Sequence, residues 1–440
     1  MKAFSLSKDH CLISEDELQQ SMPMLQEELT AMKEATTADY QDERASINLP
    51  FDDTMLKQVK QVIEEKKALN PRYLIVVGIG GSNLGTIAVH EALHGRFYNE
   101  HDPHLKVVFA DTVDPDLIVS IIERITPVLK AGENVIINAV SKSGGTTETI
   151  ANFETLIDVI QQHNAKYEEC IVVTTDKGSP FWDLAKEKGF SVLDIPKRVG
   201  GRYSVFSAVG LFPLGMLEVD LDALLQGARS MREQCLKPDF QVNPAALSAS
   251  LIYLHHKKGI NIHDLFLFST DLESIGKWYR QLMGESIGKQ YARDGSQVFI
   301  GITPTVSIGS TDLHSMAQLY LGGPFDKFTT FVRVASHQHK ITLPDYSEYS
   351  HLVQHIQGSS MNRIMNAILI GVQQAYQKKG RAYMEIVLRD KSEESLGQFL
   401  QFKEMEMMYL GHLLNVNPFD QPNVEDYKIE TKKILKQDPI

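Results

Sequence analysis

Leu74-Ile75-Val76-Val77 runs straight into Gly78-Ile79-Gly80-Gly81-Ser82-Asn83-Leu84-Gly85. Further on, Val135 to Val140 runs into Ser141-Lys142-Ser143-Gly144-Gly145-Thr146-Thr147. Each is a short β-branched apolar run that breaks into small residues and resumes with helical character. An unbroken apolar run of this length reads as a parallel strand buried on both faces. Glycines let the backbone turn tightly and come close to a ligand, and the free N–H groups of a helix start attract an anion. The pair of loops therefore predicts an α/β protein that holds a phosphate.

Neither loop fits the common nucleotide patterns. Asn83 stands where the dinucleotide fingerprint needs its third glycine, and the second loop lacks the Gly-Lys-Ser/Thr of a P-loop. Ser141, Ser143, Thr146 and Thr147 suit a single phosphate held by hydroxyls and backbone amides. Their plain alternative is N-capping of two ordinary strand-to-helix turns.

From Tyr73 the chain alternates strand and helix signals, with strands expected at 73–77, 106–110, 135–140, 171–174 and 191–194. A second block follows at 264–268, 297–301, 329–334 and 384–388, with an amphipathic helix at about 361–377 and another at 394–414. Such alternation predicts parallel sheets with helices on both faces. The division expected is an N-terminal helical segment (1–70), a first α/β domain (71–215), a helical connector (216–256), a second α/β domain (257–395) and a C-terminal helical arm (396–440). The two α/β blocks could descend from a duplication, which the residues do not display directly.

With 44 basic and 56 acidic residues the formal charge is −12, which disfavours nucleic acid and anionic membranes as partners. An anionic substrate must then be held by local donors. Cys11, Cys170 and Cys235 are scattered and odd in number, fitting reduced thiols and a cytoplasmic protein. No apolar run approaches the ~18 residues of a membrane span. His351/His355 and His337/His339 have metal-like spacing without a third ligand nearby, so no metal is expected.

Gly200-Gly201-Arg202-Tyr203-Ser204 couples a close-approach turn to a permanently charged donor fork, suited to a developing oxyanion. Its plain alternative is a surface arginine beside a flexible turn. Gln281 and Glu285 lie one turn apart on a helix beginning near Ser274. Glu285 and Lys289 could be a solvated i,i+4 pair. Gly284 and Gly288 weaken that option, because two glycines in five residues make a poor exposed helix. His314 and Lys428 carry no signal by themselves.

Together, in this order, Gly78–Ser82, Ser141–Gly144, Gly200–Ser204, Gly284–Ser286 and Asp420-Gln421 with Lys428 resemble the glucose-6-phosphate isomerase (phosphoglucose isomerase) family in its shorter bacterial form. The likeness runs from about Tyr73 to Lys428. It implies two sugar-isomerase (SIS) domains with a helical arm and a homodimer with shared active sites. The reaction implied is reversible aldose–ketose isomerisation of glucose 6-phosphate to fructose 6-phosphate through a cis-enediolate, without metal or cofactor. By position Gly81, Ser82, Ser141, Lys142, Ser143 and Thr146 resemble the phosphate and substrate ligands, and Gln281 and Gln421 the positioning amides. Glu285 resembles the base, Arg202 the enediolate stabiliser, and His314 with Lys428 the ring-opening pair, His314 reaching in from the partner. Two positions depart from the family pattern, Asn423 in place of Gly or Ala and Gly145 in place of a common threonine. The rival readings are an isomerase that also takes mannose 6-phosphate and a non-catalytic sugar-phosphate sensor. The joint presence of Glu285, Arg202, His314 and Lys428 argues against the sensor.

Overall fold

The computed structural model describes residues 4–239 and 241–437. In chain order its strands are β1 (Phe4–Ser7), β2 (Pro71–Val77), β3 (Lys106–Ala110), β4 (Asn134–Val140), β5 (Ile171–Thr175), β6 (Ser191–Asp194), β7 (Ile262–Phe268), β8 (Lys289–Tyr291), β9 (Gln297–Ile300), β10 (Thr303–Ile308), β11 (Lys327–Val334) and β12 (Tyr383–Leu388). Strands β2 to β6 form one wholly parallel sheet in the order β3-β2-β4-β5-β6.

Alternate residues of these strands enter different cores. Leu74 and Val76 point into the large central core, while Ile75 and Val77 point into an outer cluster, and all four are fully buried. Burying one such side chain contributes about 1.5–3 kcal/mol, so both faces of the sheet must be covered. That requirement is why the runs are apolar throughout.

The second sheet has the order β1-β12-β11-β7-β10, parallel except for β1. Leu265 and Leu267 enter the same central core, and Phe266 and Phe268 join an aromatic outer cluster with Phe331, Tyr376 and Tyr383. Numbered from its own first parallel strand, each sheet reads 2-1-3-4 with a fifth strand beside strand 4. That fifth strand is parallel β6 in one sheet and antiparallel β1 in the other. Both sheets are thus built on one topology, the mixed α/β architecture with parallel-sheet cores that the sequence predicts.

The expected strand at 297–301 needs correction. Strand β9 exists, but it pairs only with β8 in a small antiparallel hairpin, and its Val298 and Phe299 are 41% and 72% exposed. The sheet strand is β10, whose Pro304 and polar Thr303 and Thr305 hide it from an apolar-run reading. It lies at the sheet edge, where a proline can be accommodated.

Between the sheets, helix Leu84–His94 packs against helix Glu273–Ile287. Arg96 pairs with Glu273 at 3.1 Å, and Gly80 abuts Gln281, so the two helices run antiparallel. The carboxyl ends of the first sheet's strands therefore meet the C-terminal end of the helix that follows β7. The helix Glu393–Leu413 is buried along nearly its whole length, packed on Leu221–Cys235 and Pro244–Lys257. By contrast Val424–Leu435 has no buried residue. Among the described residues no helix is long and apolar enough to cross a membrane.

Candidate active site

Strands β2 and β4 are neighbours, and the chain leaves them toward opposite edges of the sheet, β2 to β3 and β4 to β5. In open α/β sheets such a switch point, beyond the carboxyl ends of the strands, is where ligands bind. The loops Gly78–Ser82 and Ser141–Thr146 both stand there.

In the second loop the Ser141 and Thr146 hydroxyls lie 3.1 Å apart, and the amide of Gly145 donates to Ser143 Oγ at 3.4 Å. Thr175 Oγ1 donates to the Ser141 carbonyl at 2.6 Å, tying the loop to β5. Gly144 has φ +70°, and a Cβ there would meet Phe181 Cβ at 2.7 Å, so the turn needs glycine. Thr146 is the N-cap of helix Thr147–Gln161 but its side chain caps nothing, contrary to the plain N-cap alternative. Lys142 is desolvated, which lowers its pKa, opposed by the nearby carboxylate of Asp176. Burial in turn pushes Asp176 up to about 6.

The first loop is pressed against Arg202. A Cβ on Gly81 would lie 2.2 Å from the Gly201 carbonyl carbon and 2.6 Å from the Arg202 amide nitrogen, so no larger residue fits. On Gly80, at φ +59°, it would meet Gln281 Nε2 at 2.9 Å. The two glycine turns thus bring Arg202 and Gln281 up to the strand ends, beside Ser82.

Arg202 is buried, and each of its five N–H donors has an acceptor. Nε donates to Ser286 Oγ at 2.8 Å, Nη1 to Gln421 Oε1 at 2.7 Å and to Glu285 Oε2 at 3.3 Å. Nη2 donates to the carbonyls of Pro418 and Asp420 at 2.5 and 3.0 Å. A buried charge is tolerable only with such complete pairing. The surface-arginine alternative is therefore excluded. Gln281 Nε2 donates to Glu285 Oε1 at 3.1 Å, so both carboxylate oxygens are held while the side chain stays one-third exposed.

The alternative pairing of Glu285 with Lys289 is also excluded. The helix ends at Ile287, and Lys289 Nζ bonds the Asp420 carbonyl and, at 2.9 Å, Asp420 Oδ1. Lys289, Asp420, Ser286 and Tyr203 are site residues that sequence reasoning does not single out. Tyr203 OH lies 2.9 Å from Ser286 Oγ, and burial pushes its pKa up to about 12. The signal that points to all four is proximity in the chain to Arg202, Glu285 and Gln421.

Among the described residues, His314 and Lys428 are not bonded to this cluster. His314 is exposed at the end of the short turn Thr311–Leu313 after β10. Lys428 bonds Glu425 at 2.7 Å on the exposed C-terminal helix. Among the described residues no hydrogen bond or ion pair joins either to Arg202, Gln281, Glu285 or Gln421. Asn423 turns its amide to Gln290, donating at 2.8 Å. Among the described residues no group of three His, Cys, Asp or Glu side chains could hold a metal ion.

Two like parallel sheets, with a polar cluster at the carboxyl ends of one, define an α/β protein of the ligand-binding, switch-point class. Comparison with known proteins narrows this. The family described as Phosphoglucose isomerase matches residues 64–439. A relative from Carboxydothermus hydrogenoformans, named glucose-6-phosphate isomerase, is 36% identical over 372 residues, covering 83% of this chain and 79% of that one. A hypothetical protein of Thermus thermophilus superposes with TM-score 0.87 at 29% identity, covering 98% and 99% of the two chains. A Chlamydia trachomatis glucose-6-phosphate isomerase shares the fold, with TM-score 0.83 at 23% identity over 100% of this chain and 90% of that one. This chain belongs to the phosphoglucose isomerase family.

Proposed function

We propose that the chain interconverts glucose 6-phosphate and fructose 6-phosphate. The observation that carries this is the Glu285 carboxylate, partly open to solvent, held 3.3 Å from a fully bonded, buried Arg202 beside the hydroxyl-bearing loops of the first sheet. The phosphate rests on Ser82, Ser141, Ser143 and Thr146, with Gly81 amide and Lys142 adding donor and charge. Glu285 takes the proton from C2, and the C–H electrons form the C1–C2 double bond as the C1 carbonyl becomes an oxyanion. Arg202 stabilises that cis-enediolate, and Gln281 and Gln421 orient it. The hydroxyl proton passes from O2 to O1 of the enediolate, and as the C2–O bond becomes a carbonyl the double-bond electrons take the proton back from Glu285 at C1.

His314 and Lys428 open the sugar ring, one donating to the ring oxygen and one accepting from the C1 hydroxyl. His314, which is exposed and, among the described residues, makes no hydrogen bond or ion pair to Glu285, is assigned to the partner's site of a homodimer. Exposed Tyr346, Tyr349, Leu352 and Val353 supply apolar surface for such an assembly. The division proposed puts β2–β6 in a domain at 71–215 and β7–β12 in one at 257–395; β1, an edge strand of the second sheet, comes from the N-terminal segment expected to be helical. Three free, buried cysteines fit work in the reducing cytoplasm.

The test is fructose 6-phosphate formation from glucose 6-phosphate by the purified chain, with a chelator present. Turnover that persists after exhaustive chelation is expected. No product, or product only after a divalent ion is restored, overturns the reading.

A further inference from the structure

We propose that Lys289 is a positioning residue of this site, which clamps Asp420 so that the Pro418–Gln421 segment holds Arg202 and Glu285 in register. The inference rests on the reading of Glu285 as the base.

Lys289 begins β8 immediately after the helix that carries Glu285, and its side chain is 4% exposed. The route out of the helix is specific. Gly288 adopts an extended conformation while its amide still bonds Gly284, and a Cβ there would lie 2.7 Å from the Gly284 carbonyl oxygen. Lys289 is thereby turned inward, away from the solvated face where an i,i+4 partner of Glu285 would sit.

Two buried cations then share one strap. The Asp420 carbonyl accepts from Lys289 Nζ and from Arg202 Nη2, at 3.0 Å for the latter. Arg202 also holds the Pro418 carbonyl on one side and Gln421 Oε1 on the other. Arg202 and the Tyr203 hydroxyl hold the strap at the Pro418 carbonyl, but among the described residues Lys289 is what holds the Asp420 side chain. Without it the Asp420–Gln421 end and the guanidinium bonded to it would be looser. Stability does not explain the arrangement. Asp420 is half exposed, and a buried lysine paired to an exposed carboxylate is a poor source of stability compared with an apolar side chain of the same shape.

Lys289 also adds a second fixed positive charge near the base. The charged groups around Glu285 are Arg202 from the Gly201–Tyr203 turn, Lys289 beyond its own helix, and Asp420 from the strap. The first-sheet loop brings only glycine backbone at Gly80 and Gly81. Lys403, Glu404 and Glu406 of the buried helix lie deeper, behind Tyr203 and Tyr279. Loss of Lys289 removes a cation from this set, whereas loss of the Asp420 charge removes an anion. The two partners of one ion pair should therefore move the ionisation of Glu285 in opposite directions.

The experiment compares Lys289→Met, Lys289→Arg and Asp420→Asn by pH profiles of kcat/KM, melting temperature and a carboxyl-carbon NMR titration of Glu285. Lys289→Met should lower kcat on the order of 10²-fold with a smaller change in KM, as expected for a misplaced site. Its acidic limb and its Glu285 titration should both shift to higher pH. Asp420→Asn should shift them lower, and Lys289→Arg should restore the limb with part of the rate. If both single variants shift the limb the same way, or Lys289→Met changes only the melting temperature, the inference is wrong. The NMR titration needs no turnover, so it separates this failure from that of the base assignment, which would show instead as an active Glu285→Gln enzyme.

Discussion

The two sheets share one strand order yet finish their strands differently. Beyond β2 and β4 the first sheet presents Gly78–Ser82 and Ser141–Thr146, small hydroxyl and glycine residues with free donors. At the equivalent places beyond β7 and β11 the second sheet presents Ser269–Leu272 and Ala335–His337. There Asp271 is engaged by Lys391, so charge is already cancelled within the protein. The second sheet contributes instead through the far end of its first crossover helix, where Gln281 and Glu285 reach the first sheet's loops. A topology can offer the same crevice twice, and loop chemistry decides which one is used.

Three variants test that asymmetry. The largest effect belongs to Glu285→Gln, which keeps the hydrogen bonds but cannot accept a proton. Its kcat should fall about 10²–10⁴-fold. Exchange between α and β anomers should continue, since ring opening is assigned to His314 and Lys428. Near wild-type isomerisation would remove the second sheet's helix from the chemistry.

Next comes the first-sheet loop. Ser143→Ala combined with Thr146→Ala should mainly raise KM, with a cost of roughly 3–6 kcal/mol at most for two hydrogen bonds to a charged group. Unchanged kinetics would show that the phosphate sits elsewhere. The smallest effect is expected from Asp271→Asn in the second sheet. It should leave KM unchanged and lower stability by no more than about 1 kcal/mol, as for a partly exposed ion pair. A rise in KM for glucose 6-phosphate there would mean that the second crevice also binds substrate.

Much of this was legible in the sequence because β2, β4, β5 and β7 are buried on both faces along most of their length and so are mostly apolar. Edge strands are freed from that rule, and of the four in the two five-stranded sheets only β3 and β6 carried a readable apolar run, while β1 and β10 did not. Arg202, Gln281 and Glu285 were legible through their glycine-bounded motifs, and Gln421 only through the family resemblance. Lys289 was not, because a lysine four residues after a glutamate looks the same on a solvated helix as at a buried turn. The helix expected at 394–414 is present as Glu393–Leu413, but the same ambiguity hides its burial, since its Gln401, Lys403, Glu404 and Glu406 are wholly buried. Lys403 is neutralised by Glu406, while Glu404 is held well above the usual carboxylate range by burial. Only the three-dimensional packing of neighbouring helices decides that these polar residues face inward.

Strand β1 carries a consequence for how the chain is made. Phe4–Ser7 pairs with Glu385–Leu388, so its partner is synthesised only after both sheets' other strands have been laid down. Until then the segment is an unpaired strand on the ribosome, and the edge of the second sheet is closed by one of the most non-local contacts the chain possesses. Pairings of that kind form slowly and leave sticky edges exposed in the meantime. The nascent protein therefore has a late, vulnerable step built into its topology, one that a holding chaperone would protect and that slow translation would prolong.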